Sequence, residues 1–433
     1  MWLLYDLIIH LYEDAIRIAS LFNPKARLWV KGRKGIWRLI ESAVGSHHSS
    51  LITHHSSLIW FHCASLGEFE QGRPVIEAFR KEHPDWKVLL TFFSPSGYEI
   101  RKNYAGADWV FYLPMDTPFN AKKFVRLVKP SIAVFVKYEF WFRYLDRLFR
   151  EKVPVYVISG IFRPSQHFFR WYGDWPRKQL RRISHFFVQD SRSKELLESI
   201  GIWNVTVSGD TRFDRVADIA GNAKSFPLVE RFAAGSRVLL AGSTWPPDES
   251  LISGLMQDAA KELRFVIAPH EVVKPRLEAI QSAVGSWQLV PGSKASRGSA
   301  MGGKTVFYSE LTGETAESAR VLIIDGIGYL SSLYQYATIA YIGGGFGVGI
   351  HNILEAATFG KPVIFGPNYE KFREAVDLVR LGGAFPVKDA SELKQIVNKL
   401  LADTMFYDSA SLVCAEYVRK NCGATKIILK GLC

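Results

Sequence analysis

Three observations predict an α/β architecture of two doubly wound, parallel-sheet units in series. From residue 58 onward, apolar runs of strand length alternate with helix-like segments, which places each strand in a parallel sheet with helices on both faces. The alternation breaks over residues 209–235, read as a linker, and restarts at 238. A glycine-rich loop, Gly343 to Gly349, then stands between an apolar run, Ile339-Ala340-Tyr341-Ile342, and an apparent helix start, Leu354-Glu355-Ala356-Ala357. At 433 residues and 48% hydrophobic content, the chain has the size and apolar mass for two folded domains.

The N-terminus opens on Leu3, Leu4, Leu7, Ile8, Leu11 and Ile18 at helical spacing, with Asp6, His10, Glu13, Asp14 and Arg17 on one narrow arc. These charges argue against a plain transmembrane span, and a tilted span is the lesser alternative. Lys25, Arg27, Lys31, Arg33, Lys34 and Arg38 follow. An amphipathic helix with a basic flank suits an anionic membrane face. A helix docked on the protein's own core fits the same pattern. Residues 45–57, with two His-His-Ser-Ser runs, read as a solvated polar loop rather than a metal site, since no carboxylate or cysteine accompanies them.

Strands of the first unit are expected at Leu58–His62, Lys87–Thr91, Trp109–Tyr112, Ile132–Phe135, Val155–Ile158, His185–Val188 and Val205–Val207. The first strand runs into Ser65-Leu66-Gly67-Glu68. A carboxylate at a strand's C-terminal edge can act as a general base; it is equally a helix N-terminal acid favoured by the helix dipole. Lys137-Tyr138-Glu139-Phe140-Trp141 puts a second carboxylate at another strand end, beside aromatics that suit a sugar face or simply a core. Arg163 and Arg212 follow two later strands where an anionic substrate would lie, unless both are merely solvated.

In the second unit, strands are expected at Val238–Ala241, Phe265–Ala268, Thr305–Tyr308, Val321–Ile324, Ile339–Ile342 and Pro362–Phe365, with closing helices over Lys394–Leu401 and Ser411–Arg419. Gly242-Ser243-Thr244 suits a phosphate at a helix start, and His270 contacts phosphate or base, or caps a helix. The loop from Gly343 to Glu355 lets an anion approach backbone and an unpaired helix N-terminus. Glu355, four residues after His351, would share its helical face and suit paired ribose hydroxyls, so the segment reads as a nucleotide site. It is not the dinucleotide fingerprint, because Val348 stands where G-x-G-x-x-G needs glycine. Gly298 to Thr305 matches a P-loop letter for letter, but a loop precedes it and a strand is expected after it, so it reads as a surface loop.

A net charge of +12 suits anionic lipid or acidic substrates; nucleic acid is disfavoured, since no zinc-finger spacing, RNA-recognition signature or long basic tail is present. The four cysteines form no C-x-x-C pair and fit a reducing compartment without a metal cluster.

Taken in order, Ser65–Glu68, Glu139-Phe140-Trp141, Gly209–Asp214, Gly242–Thr244, Pro269-His270 and Gly343–Glu355 resemble the 3-deoxy-D-manno-octulosonic acid (Kdo) transferases of lipopolysaccharide synthesis. The resemblance covers nearly the whole chain. It implies a GT-B fold whose two Rossmann-like units face a central cleft, a CMP-Kdo donor and a lipid A precursor (lipid IVA) as acceptor. It also implies inverting transfer with no essential metal or resident cofactor, at the cytoplasmic face of a bacterial inner membrane. On this pattern residues 1–40 associate with the membrane, 41–215 bind acceptor and 216–433 bind the CMP-sugar. Glu68 is then the base and Glu139 a second catalytic carboxylate. Ser65, Gly67 and Arg163 meet the acceptor. Arg212, Ser243, Thr244, His270, Gly345, Gly347, Gly349, His351, Asn352 and Glu355 meet the donor, with Glu355 on the ribose. The chain departs from the pattern at Trp245, where the family often has His, at Arg212, where it often has Lys, and at Phe142-Arg143, where Trp141 would be followed by Pro-Asn. A GT-B enzyme using a UDP-sugar, such as a lipid-linked N-acetylglucosamine transferase or a sugar-nucleotide epimerase, is the rival within enzymes. A non-catalytic nucleotide-binding protein at a membrane surface is the rival outside them.

Overall fold

The computed structural model describes residues 1–50, 57–258, 263–285 and 304–432. The chain divides into two compact units, Met1–Asp214 together with Cys422–Cys433, and Arg215–Asn421.

In the first unit, β1 (Leu58–Cys63), β2 (Lys87–Phe92), β3 (Trp109–Tyr112), β4 (Ile132–Val136), β5 (Val155–Gly160), β6 (His185–Val188) and β7 (Val205–Val207) form a parallel sheet in the order β3-β2-β1-β4-β5-β6-β7. Every residue of β1 and β4 is buried, as expected for strands covered on both faces. The winding reverses between β1 and β4, where Ile59 to His62 lie in register with Ile132 to Phe135. At such a switch point the two outgoing loops diverge and leave a crevice at the strands' C-terminal ends.

The second unit repeats the plan. Strands β8 (Arg237–Thr244), β9 (Leu263–Pro269), β10 (Lys304–Phe307), β11 (Ala319–Ile323), β12 (Ile339–Ile342), β13 (Val363–Phe365) and β14 (Ala384–Pro386) pair in the order β10-β11-β9-β8-β12-β13-β14, with the reversal between β8 and β12. Only β14 lacked an expectation. It is a three-residue edge strand ending in proline, too short to carry a periodic signal. The stretch 209–235 is not a bare linker, since it holds helices Thr211–Gly221 and Pro227–Ala233.

Three helices, α1 (Trp2–Ala19), α2 (Pro24–Arg33) and α3 (Ile36–Ser50), precede the first sheet. Helix α1 docks by one edge. Tyr5 donates to the buried Asp116 carboxylate, Arg143 clasps Asp6 (Nε–Oδ1 2.7 Å), and Ile9 is buried. Its other side is apolar and bare, with Leu3, Leu4, Leu7, Ile8, Leu11 and Ile18 all exposed. No helix among the described residues is long and apolar enough to cross a membrane. Arg33 leaves the expected basic surface cluster. Its guanidinium donates to the carbonyls of Leu113 (3.0 Å), Phe93 (2.9 Å) and Trp29 (3.3 Å), and burial pulls it down to about 9. The expected His-rich loop is corrected in its first part, because α3 runs on through Ser50; residues 51–56 lie outside the described residues.

The chain's last helix, Ala424–Leu432, belongs to the first unit and not to the expected 216–433 domain. Ile428, Leu429 and Leu432 enter the core with Ile59, Phe61 and Phe187. The Asp214 carboxylate accepts from the Gly423 N–H (2.5 Å) and the Thr425 N–H (2.6 Å), capping the entry to this helix. Asp214→Ala should therefore destabilise the first unit by about 1–2 kcal/mol. Ten of the twelve tryptophans precede residue 215, so the shift should be visible in fluorescence-detected urea unfolding.

Candidate functional site

In the first unit, helix α4 (Leu66–Glu82) starts three residues after β1, and Ser65 is its N-cap. The Ser65 hydroxyl donates to the Glu68 carboxylate. The other Glu68 oxygen lies 3.5 Å from Lys137 Nζ, which reaches over from the end of β4. Lys137 holds φ +66°, a left-handed conformation that costs a β-carbon-bearing residue about 1–2 kcal/mol. Strain of this kind gathers where side-chain aim matters. Glu139 completes the group. Burial, then the charge of Glu68, push its carboxyl up to about 7, against the pull of Lys137. Both carboxylates thus stand at the β1/β4 switch point, with one ammonium beside them. Glu70 turns away to Arg101 (2.7 Å).

Trp141 is fixed from below. Its Nε1 donates to His62 Nε2 (3.0 Å), so the imidazole proton sits on Nδ1 and faces Thr91 Oγ1 (2.9 Å). His62 is fully buried and pushed down to about 3, hence neutral. Phe140 and Trp141 are largely spent on packing against Phe168 and Phe93, which leaves Tyr138 as the exposed ring beside Glu139. Nothing crowds Gly67. Arg163 sits past β5 on the rim of a separate pocket. Arg212 is not a free cation, because Asp210 holds its guanidinium at 2.7 Å.

In the second unit, the residues after β8 and β12 interlock. The buried Asp248 carboxylate accepts from Tyr341 Oη (2.8 Å), the Trp245 N–H (2.9 Å) and the Gly344 N–H (2.9 Å), tying both loops together. A β-carbon on Gly343 would lie 2.3 Å from the Ser243 carbonyl, and one on Gly345 2.6 Å from the Gly366 nitrogen. Those two glycines are therefore demanded by backbone packing, while Gly347 is open. Ser243 is half-buried at φ +53°. The Thr244 hydroxyl is buried and donates to Glu249 (2.8 Å), itself paired with Arg276 (2.5 Å), so it serves the interior rather than a ligand.

The helix starts where expected, at Leu354. Gly349 takes φ +142°, and the helix Leu354–Ala357 is four residues long. The Asn352 carbonyl oxygen accepts from the Leu354 N–H (3.2 Å), and its amide donates to Glu355 (3.1 Å). His351 is consequently off the helix and shares no helical face with Glu355. Its ring stacks on His270 (4.5 Å), which stacks on Trp245 (4.7 Å), and Trp245 Nε1 closes the column by donating to His351 Nε2 (3.1 Å). Burial and the neighbouring His270 hold His351 below its ordinary value, so its remaining N–H is on Nδ1. Beside the column lies a hollow of about 270 Å³ lined by Trp245, Pro246, Gly344, Phe346 and Val348. A flat aromatic stack beside a glycine loop can take a planar base and an anion.

The described part of the P-loop match, Lys304-Thr305, lies in strand β10, which excludes the helix such a loop needs; residues 298–303 lie outside the described residues. No group of metal-ligating side chains occurs among the described residues.

Two sheets of this winding, each with its polar loops at a switch point, follow the plan of a GT-B-like fold. The fold is similar to that of the UDP-GlcNAc 2-epimerase from Neisseria meningitidis bound to UDP-GlcNAc (TM-score 0.58, 20% identity, 87% of this chain and 99% of that one). A family model described as 3-deoxy-D-manno-octulosonic-acid transferase matches residues 39–215. Similar relatives are the 3-deoxy-D-manno-octulosonic acid transferases of Aquifex aeolicus (27% identical, 79% of this chain, 85% of the relative) and Haemophilus influenzae (24%, 85% and 84%). The chain is thus similar to Kdo transferases along most of its length, and its segment 39–215 matches their family model.

Between pH 4.5 and 7 the folded chain keeps a proton on Glu139 that the unfolded chain releases, so stability falls as pH rises across that window. Glu139→Gln should remove this group's share of the slope and lessen the stability lost from pH 5 to pH 8 by on the order of 2 kcal/mol, as read by denaturant midpoints at the two pH values.

Proposed function

We propose that the protein is an inverting glycosyltransferase that moves Kdo from CMP-Kdo onto a hydroxyl of a lipid A precursor, with Glu68 as general base. The observation that carries this reading is the trio of Glu68, Lys137 and Glu139 at the β1/β4 switch point, inside the segment that matches the Kdo transferase family. Lys137 and Ser65 hold the Glu68 carboxylate in one orientation. Glu68 takes the acceptor's hydroxyl proton as that oxygen bonds to C2 of Kdo. The bond from C2 to the phosphate oxygen breaks, its electron pair leaves with CMP, and C2 inverts. Glu139, half-protonated near pH 7, spares the donor's own carboxylate a second full negative charge.

The CMP moiety goes to the second unit, its base and phosphate against the Trp245–His270–His351 column and the Gly343–Gly349 loop, with the Asn352–Glu355 pair on the ribose. The bare apolar side of α1 supports attachment to the cytoplasmic face of the inner membrane, where the acceptor resides. The reaction needs no metal or resident cofactor, so activity should survive EDTA.

Purified protein incubated with lipid IVA and freshly generated CMP-Kdo should raise the lipid's mass by one or more Kdo units. Glu68→Gln should lower the rate by about 10³-fold while CMP binding persists. Consumption of a UDP-sugar with no Kdo transfer would overturn the donor assignment. Near-normal turnover by the variant would remove Glu68 from its role.

A further inference from the structure

Past β5, residues 161–173 make a loop whose shape is internally fixed. The Phe162 N–H donates to Ser193 Oγ (2.9 Å), and the Arg163 N–H to Gln166 Oε1 (3.0 Å). Arg177 Nε donates to the Phe168 carbonyl (2.6 Å). Gly173 is packed so tightly that a β-carbon would meet the His167 carbonyl at 2.2 Å. This loop presents Arg163 and Arg170, and Arg192 joins them from the helix Ser191–Glu198 after β6. The three arginines line a pocket of about 600 Å³ together with Ile161 and Phe162. The carboxylate in its lining, Asp190, accepts from the Ser193 N–H (2.7 Å) as that helix's cap.

Several other arginines of this unit are already engaged. Arg143 is on Asp6, Arg212 on Asp210, and Arg177 and Arg181 on main-chain carbonyls. Among the described residues, none of Arg163, Arg170 and Arg192 has an ion-pair partner. Three like charges around one concavity repel each other until an anion with several oxygens bridges them, and the planar fork of arginine matches a phosphate. The pocket's position narrows the choice of anion. Strands β5 and β6 are two and three strands from β1, which sets the pocket about 10–15 Å along the sheet edge from Glu68. That is too far for a group on the reacting centre and close to the span of a disaccharide. Trp171 and Tyr172, next to Arg170, are 91% and 58% exposed, the pair of residue types that settles at a membrane's headgroup level.

We infer that this three-arginine pocket binds a phosphomonoester of the glycolipid acceptor, the one remote from the attacked hydroxyl. The inference rests on the acceptor proposed above. The test compares steady-state transfer from CMP-Kdo to bisphosphorylated lipid IVA and to the same lipid lacking the remote phosphate, in detergent micelles. For wild type, loss of that phosphate should raise KM about tenfold or more. Arg170→Ala/Arg192→Ala should bring KM for both lipids to the same high value with kcat changed less than about threefold, and Arg170→Lys/Arg192→Lys should restore part of the difference. Unaltered discrimination in the alanine variant would overturn the inference. Inhibition of wild type by inorganic phosphate that is lost in the variant, with lipid discrimination unchanged, would make the pocket a free-anion site and overturn it as well. If wild type transfers to neither lipid, the functional reading fails first; transfer to both with equal KM leaves that reading intact and sinks only the pocket's assignment.

Discussion

A parallel sheet buried on both faces can tolerate irregular, polar backbone only at its two ends, and this constraint organises both units. Where the winding reverses, between β1 and β4 and again between β8 and β12, neighbouring loops part and leave room for chemistry. The Glu68–Lys137–Glu139 group occupies the first such place, and the Asp248-tied glycine loop occupies the second. Three non-glycine residues in left-handed conformation, Lys137, Ser159 and Ser243, lie at the C-terminal ends of β4, β5 and β8. Backbone strain is thus concentrated on the edges where side chains must be aimed, and the continuous ladders behind them hold it in place.

The same constraint explains what could be read from the sequence. A strand covered on both faces is a short, unbroken apolar run, so Ile339–Ile342 carries its own boundaries, and the less covered Trp109–Tyr112, His185–Val188 and Val205–Val207 are still apolar enough to stand out from their flanks. Glu68 and Glu139 stood out because each follows such a run. What stayed hidden depends on tertiary partners. Nothing in the spacing of Lys137 signals that its ammonium swings to Glu68, or that Asp248 is buried among three donors, one from β12 and two from the loops after β8 and β12. His62 looks like an ordinary strand residue until the Trp141 indole is found on it. Partners of other site candidates were equally hidden. Thr244, Arg212 and Asn352 carry ligand-binding chemistry in principle, and nothing in their spacing signals that Glu249, Asp210 and Glu355 engage them. His351 and Glu355 have the spacing of one helical face, but the helix begins only at Leu354, so His351 precedes it.

The N-terminal helix shows how two readings of one pattern can both hold. Charged and aromatic residues of α1 are used inward, through Tyr5 on Asp116 and Asp6 on Arg143, and Arg33 of α2 is drawn in to cap three carbonyls. The leucines of α1, with Ile8 and Ile18, remain outside. Docking by polar contacts on one side leaves the apolar side without a protein partner among the described residues, which is the inverse of an ordinary surface helix.

The return of the final helix to the first unit has a consequence for how the protein is made. Asp214 and the strands that carry Glu68 and Glu139 are translated long before Ile428, Leu429 and Leu432, yet those late residues fill the same core. The first unit therefore leaves the ribosome with an uncovered apolar patch and waits for the entire second unit to be synthesised before its own packing is complete. A chain cut short before Ala424 would be damaged in the half of the molecule that was made first.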